Sequence, residues 1–469
     1  MRILLLQPPM LNVVKVMEPN FVHDNVGKQP PMGLFNLATY LEQNSNHEVT
    51  VLDSQLDNLD HNNCGKYVFS YKPDLVGVTA TTMTFYDALF SAKTVKKVLP
   101  ECKVILGGPH TSVYPQETIK HEEIDYLLEG EADIAFTDFV NKLEAGEKIE
   151  EIPGLYYLEN GNVTYTGKST YIKDLNALPI PNRRLTDYTK YCSILSKRRP
   201  STNMMTSRGC PFKCIFCNRM GKTFRMRSAE NILSEIRNCM ELGIQDIAVF
   251  DDSFTLNRQR VVDICNGIIK EGFDFTWNIR TRVDNVDEEL LKLLKKANCV
   301  RVHYGIESGN PNILKILNKQ INLDDVKHAF QMTHKAGMET YAYIMIGSPE
   351  EHEDEIEDTM RLLKQIRPDY AGFSILTPMP NTELYDMAFE NGLYDKNHWL
   401  EYVRKPSPTF EALVWDKEIN QKRLNKHLIK AYKRFYGNPL RLFKRAISVR
   451  SFKEFAMKSK VAVKMFLSR

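Results

Sequence analysis

Cysteine is thin and odd in number in this chain, nine among 469 residues, and tryptophan occurs only three times. An odd and mostly scattered set of thiols does not build a disulfide framework, so nothing points to an oxidising compartment. Long hydrophobic runs are also missing. The opening stretch MRILLLQPP holds four consecutive apolar residues before polar and proline residues intervene, too few for an export signal or a membrane span. A cytoplasmic protein is expected. Charge of one sign is lacking too: the net is +3, and no nucleic-acid partner is expected. That small net hides an asymmetry, because Pro439 to Arg469 carries nine Lys/Arg against one Glu, +8 locally, which leaves −5 for the remainder. With 43% hydrophobic and 26% charged residues, the composition excludes a disordered or collagenous chain.

The length predicts two or three domains. Over residues 1–150 the apolar runs RILLLQ, EVTVLD, LVGVTA, KVILGG and YLLEGE alternate with helical patterns such as MGLFNLATYLEQ, which predicts a doubly wound, parallel α/β domain. Ligands of such sheets bind at the strands' carboxyl ends, which here carry Thr79, Thr81, Gly107, Gly108, Gly130 and Glu131. Residues 151–199 read as a hairpin about Asn160-Gly161 and a proline-stiffened linker. From 200 to 395 the alternation resumes with six strand–helix repeats, the pattern of a partial (β/α)6 barrel. Residues 396–469 are expected to be a helical C-terminal region ending in a basic amphipathic tail.

Three of the nine cysteines sit in TSRGCPFKCIFCNRM, at positions 210, 214 and 217. Crowded thiolates suit a soft metal or an iron–sulfur cluster better than a core. A tetrahedral zinc site asks for a fourth ligand nearby, and the next histidine along the chain is His303. Three ligands would leave one iron of a cubane open.

Cys210-x3-Cys214-x-Phe216-Cys217 resembles the signature of radical S-adenosylmethionine (SAM) enzymes. The stretches FDDSF, RTRVD, GIESG, IMIGSPEE and TPMPNTELY resemble that family's later segments in order. The resemblance implies a 4Fe–4S cluster on the three cysteines and SAM held by Phe216, Asp251, Arg282, Glu307 and Ser308. In the first domain LGGPH and EGEAD resemble the cobalamin-binding unit of cobalamin-dependent members, which implies cobalamin against Thr79, Thr81, Gly107, Gly108, Gly130 and Glu131. A bulky side chain at Gly108 is then expected to fill space that the nucleotide tail needs. No Asp-x-His-x-x-Gly occurs in residues 1–150, so no histidine is offered in the usual way as a lower cobalt ligand.

The implied activity is methylation of an unactivated carbon. The alternatives are an oxidative cyclase or rearrangement enzyme without net methyl transfer, and a cobalamin or redox sensor. The implied partners are a small-molecule substrate and an electron donor such as flavodoxin or ferredoxin. The basic tail either packs on the barrel or holds the enzyme at the inner face of an anionic membrane, and the second reading would favour a lipid-like substrate.

Overall fold

The computed structural model describes residues 1–16, 27–218, 221, 223–395 and 397–437. The expected basic tail, 438–469, lies outside the described residues.

Five parallel strands open the chain: β1 (Arg2–Gln7), β2 (Glu48–Asp53), β3 (Leu75–Thr79), β4 (Lys103–Gly107) and β5 (Tyr126–Leu128). They stand in the order β2-β1-β3-β4-β5, and two antiparallel strands, β6 (Leu155–Glu159) and β7 (Asn162–Tyr165), extend the sheet past β5. The run RILLLQ explains why this sheet is buried on both faces. Ile3 and Leu5 pack with Phe35, Ala38, Phe136 and Phe139 of one helical layer, while Leu4 and Leu6 pack with Val68, Phe85, Ala88 and Ala92 of the other. Strand order reverses at β1, so the crevice for a ligand falls at the carboxyl ends of β1 and β3.

The second sheet holds six parallel strands in chain order: β8 (Ser201–Met204), β9 (Asp246–Val249), β10 (Thr276–Thr281), β11 (Cys299–Glu307), β12 (Glu339–Ile346) and β13 (Tyr370–Ile375). Helices between them begin at side-chain caps that the sequence displays: Ser228, Asn257, Asp287 and Asn322 each accept a hydrogen bond from a first-turn N–H. Along β10, β12 and β13 fully buried residues alternate with half-exposed ones. Trp277, Ile279, Ala342, Ile344 and Phe373 lie under the helices, and Asn278, Arg280, Tyr341, Tyr343 and Gly372 face the inside of an open half-barrel.

The C-terminal region closes both ends of this arrangement. On helix Gln421–Tyr436, Tyr432 and Tyr436 stand four residues apart, and their hydroxyls bond the backbone N–H and C=O of Phe373 and Ala371 on β13. The last strand's free edge is thereby covered. Trp399, Tyr402 and Phe410 form an aromatic cluster whose Tyr402 hydroxyl accepts from the N–H of Tyr86 in the first domain.

Candidate functional site

The three-cysteine loop is fixed before its first thiol. The carboxylate of Asp251, 1% exposed, accepts four hydrogen bonds of 2.5–3.1 Å from the N–H groups and hydroxyls of Thr206 and Ser207. Arg260 backs this knot by donating to the Thr206 carbonyl. Gly209 has φ +85°, and a Cβ there would stand 2.4 Å from the Thr223 carbonyl, so glycine alone lets the chain pass. Within the loop, Ile215 is buried; its N–H donates to Leu317 O and its carbonyl accepts from Leu384 N. Arg282 stacks on Phe212 at 3.8 Å. Cys210 and Cys214 are half-buried and Cys217 is exposed.

Burial pushes the Cys214 thiol up, and the charges of Lys319 and Arg282 work against that rise. Five other cysteines, Cys64, Cys102, Cys239, Cys265 and Cys299, are buried, and burial pushes up their thiols as well. Among the described residues no three Cys, His, Asp or Glu side chains converge as one metal ion requires. Thiolates that each hold a different iron of a cubane need no such convergence.

The residues expected to hold SAM divide into anchors and mouth. Asp251 is consumed by the loop. Arg282 donates to Asp284 through two nitrogens, 2.9 and 2.8 Å, and to the Lys319 and Gln320 carbonyls at 2.8 Å each. Ser308 is fully buried, accepting from Asn310 N and facing Thr359. Phe216 is half-buried against the core shared by both domains. Glu307 ends β11 with φ +70°, and its Oε1 accepts from Lys319 Nζ at 2.7 Å.

Lys319 is not among the residues that the sequence marks for this site, whereas FDDSF offers Asp252 beside Asp251. Asp252 opens onto the cavity described below, and burial, then Asp251, pushes its carboxyl up while Arg280 opposes them. Strand alternation carries the signal that separates the two acids. Val249 points under the helices, so Asp251 does too, and Phe250 and Asp252 point inward.

In the IMIGSPEE stretch the buried acid is Glu351, whose Oε2 accepts from Gly347 N at 2.6 Å and Ser348 N at 3.1 Å while Oε1 has no partner among the described residues. Burial pushes its carboxyl up to about 7. The unfolded carboxyl ionises near 4.3, so the folded chain binds the extra proton between these values, and stability falls as pH rises through about 7. Glu351→Gln is therefore expected to match the wild type in urea melts at pH 5 and to exceed it at pH 8, by about 3 kcal/mol at most.

A cavity of about 450 Å3 lies between the two sheets. Its apolar end is formed by Leu5, Gly77, Ile105 and Phe136, its rim by Thr79, Gly107, Gly108, Gly130 and Glu131, and its far wall by Cys217, Asn218, Phe250 and Asp252. The crevice of the first domain and the cysteine loop of the second thus share one space. Thr81 does not line it; its N–H and hydroxyl are taken by Thr84 in a capping box. His110 is fully buried, bonded to Thr82 and Thr118, and burial pushes its pKa down to about 3, which marks a neutral packing residue.

The two glycines of LGGPH differ. A Cβ at Gly107 would meet nothing within 4 Å, whereas one at Gly108, φ +92°, would stand 2.7 Å from Ala80 O and Thr79 Oγ1. The expectation of space at Gly108 is therefore corrected: that glycine serves the turn, and the open space lies at Gly107.

Glu131 does more than line the cavity. Arg225 grips its carboxylate at 2.8 and 2.6 Å, Arg208 stands 3.5 Å away, and Arg208 also grips Asp133 at 2.9 and 3.2 Å. Arg208 and Arg225 pair across the short antiparallel ribbon that brackets the cysteine loop. The EGEAD stretch is thus a clamp between domains. Burial raises the Glu131 carboxyl, but hydrogen bonds from Arg225 and Ile172 N and the charge of Arg208 hold it below the usual range. Glu131→Gln leaves two mostly buried guanidiniums short of charge and is expected to cost about 2–4 kcal/mol in denaturant melts above pH 5. The difference should shrink as pH falls through the depressed Glu131 pKa.

Comparison with known proteins agrees with this arrangement. Residues 204–363 match the radical SAM superfamily and residues 22–140 match the B12 binding domain. An uncharacterized methyltransferase of Pyrococcus horikoshii is 34% identical over 95% of this chain and 94% of its own length. The anaerobic magnesium-protoporphyrin IX monomethyl ester cyclase of Rubrivivax gelatinosus is 27% identical over 89% of this chain and 77% of its own length. The fold is shared with the cobalamin-dependent SAM radical enzyme OxsB, at a TM-score of 0.73 and 16% identity over 99% of this chain and 72% of that one. With both domains in one chain and a full-length relative above 30% identity, the protein belongs to the cobalamin-dependent radical SAM enzymes.

Proposed function

We propose that the protein methylates an unactivated carbon of a small molecule. The observation that carries this reading is the shared cavity, which opens at once onto the strand-end glycines and onto Cys217. The full-length resemblance to a protein named as a methyltransferase supports it.

The chain's own groups fit the cofactors of the family. Cys210, Cys214 and Cys217, on a loop pinned by Asp251, Leu317 and Leu384, would hold the cluster. Glu307 would accept from SAM through Oε2, the oxygen that Lys319 does not take, with Phe216 beside it; Asp251, Arg282 and Ser308 would act as positioning residues for that mouth. Gly107, Gly108, Gly130 and Thr79 would border cobalamin, whose tail the apolar end of the cavity suits; Thr81 stands outside that wall. When bound, the cluster supplies the electron that cleaves SAM to a carbon radical, and cobalamin carries the methyl group. The clamp of Glu131 and Asp133 on Arg208 and Arg225 holds the two binding regions in register, and the apolar walls keep water from the reacting carbon.

Anaerobic, reduced protein given SAM, cobalamin and substrate is expected to form 5′-deoxyadenosine and a product heavier by one methylene, with the label arriving from methyl-deuterated SAM. A product of unchanged carbon count would favour cyclisation, the reading that the cyclase resemblance supports. Absence of 5′-deoxyadenosine would favour a sensor. A reductant is required, and flavodoxin or ferredoxin would suit. No helix among the described residues is long and apolar enough to cross a membrane; contact of the tail with an anionic membrane, a lipid-like substrate and a place at the inner face of the membrane remain proposals from sequence.

A further inference from the structure

One layer below the mouth of the half-barrel lies a set of polar side chains for which nothing above gives a use. Register places Arg280 of β10 beside His303 of β11, and His303 beside Tyr341 of β12. His303 is 6% exposed, stacks on Tyr341 with ring centroids 4.8 Å apart, and has its Nδ1 3.1 Å from the Tyr343 hydroxyl; its Nε2 has no partner among the described residues. Arg280 stacks on Phe250 at 3.9 Å and lies near enough to Tyr343 for its charge to act on that hydroxyl. Among the described residues it has no carboxylate within ion-pairing distance, although Asp252 is near enough to feel its charge.

The proton positions follow from this chain of contacts. The charge of Arg280 draws the lone pairs of the Tyr343 oxygen toward itself, which turns the Tyr343 O–H toward His303 Nδ1. His303 is held neutral by burial and by the charges of Arg301 and Arg280, so its one ring proton sits on Nε2. A buried donor without an acceptor is costly, and here it stands beside a guanidinium without a counter-charge. Deeper in the lumen, Arg301 and Lys197 pair with Glu339, and the charge of Arg301 also acts on the buried Asp246, so these two cations are already partnered. The Arg280 guanidinium and the His303 Nε2–H ask for the same thing, an oxygen anion.

Resting on the reading that this half-barrel encloses the substrate, we propose that its lumen recognises an anionic oxygen group of that substrate, a carboxylate or a phosphate, with Arg280 as counter-ion and His303 Nε2–H as donor. The Tyr343 hydroxyl acts as a positioning group that fixes the tautomer of His303.

The test uses holoprotein carrying 13C-labelled histidine, with the His303 signal identified by its loss in His303→Asn. Inorganic phosphate or acetate is expected to shift that signal saturably, and whichever anion binds more tightly names the source of the charge. Arg280→Gln should weaken the response about tenfold, and Arg280→Lys should keep most of it. The proposal is overturned if neither anion moves the signal at tens of millimolar, or if Arg280→Gln responds as the wild type does. It is also overturned if SAM alone produces the same shift and blocks phosphate, since the pocket would then serve the SAM carboxylate. Iron and cobalt contents of the same samples report on the family reading separately, so the two cannot fail unnoticed together.

Discussion

Replacing Cys214 by Ala is expected to remove the cluster and to abolish formation of 5′-deoxyadenosine, and Cys210→Ala and Cys217→Ala should do the same. The effect is large because a cubane held by three thiolates cannot keep its site-differentiated iron when one is lost. Structure gives the expectation its contrast. Cys64, Cys102, Cys239, Cys265 and Cys299 are buried in the packed interior, whereas Cys210 and Cys214 are half-buried and Cys217 is exposed. Cys102→Ser and Cys265→Ser should therefore retain full iron content, with only a modest loss of stability. Anaerobic reconstitution followed by iron analysis and the charge-transfer absorbance reads both sets, and a full complement of iron in Cys214→Ala would remove the assignment. The loop itself should survive the change, since its shape rests on the Asp251 knot and on Ile215, not on the thiols.

Both sheets were legible because their strands are short apolar runs separated by capped helices, and local pattern suffices for that. The cysteine motif was legible because it is contiguous. What escaped were contacts made across long spans of chain. Glu131 looks like a strand-end ligand until Arg225, 94 residues away, is seen to hold it. Arg282 and Asp251 look available until the Lys319 carbonyl, 37 residues on, and Thr206, 45 residues back, are seen to occupy them. The bond from Tyr86 N–H to the Tyr402 hydroxyl, across 316 residues, is likewise invisible to any local pattern. Asp252 was within reach of the sequence, since a period of two along VFDD decides which acid faces inward. Gly107 and Gly108 could not be told apart in this way, because the difference between them is backbone φ and the neighbour that a Cβ would meet.

That difference makes Gly107→Trp the informative change for cobalamin. The position has ordinary backbone geometry, a Cβ there points into open space, and an indole would fill a large part of a cavity of about 450 Å3. The variant should fold, because the bulk enters a void and displaces no packed atoms. Its affinity for hydroxocobalamin is expected to fall about a hundredfold or more, while iron content and SAM binding, which depend on the other domain, remain near wild type. Gly108→Trp would give an uninformative loss. Its Cβ must displace Ala80 O and Thr79 Oγ1 from a left-handed turn, so cobalamin and stability would fail together. Comparing the two by cobalamin retention on gel filtration and by thermal melts separates occupation of the cavity from collapse of the loop. If Gly107→Trp keeps its cobalamin, the cofactor does not enter the space between β3, β4 and the cysteine loop, and the shared cavity loses its place in the argument for methyl transfer.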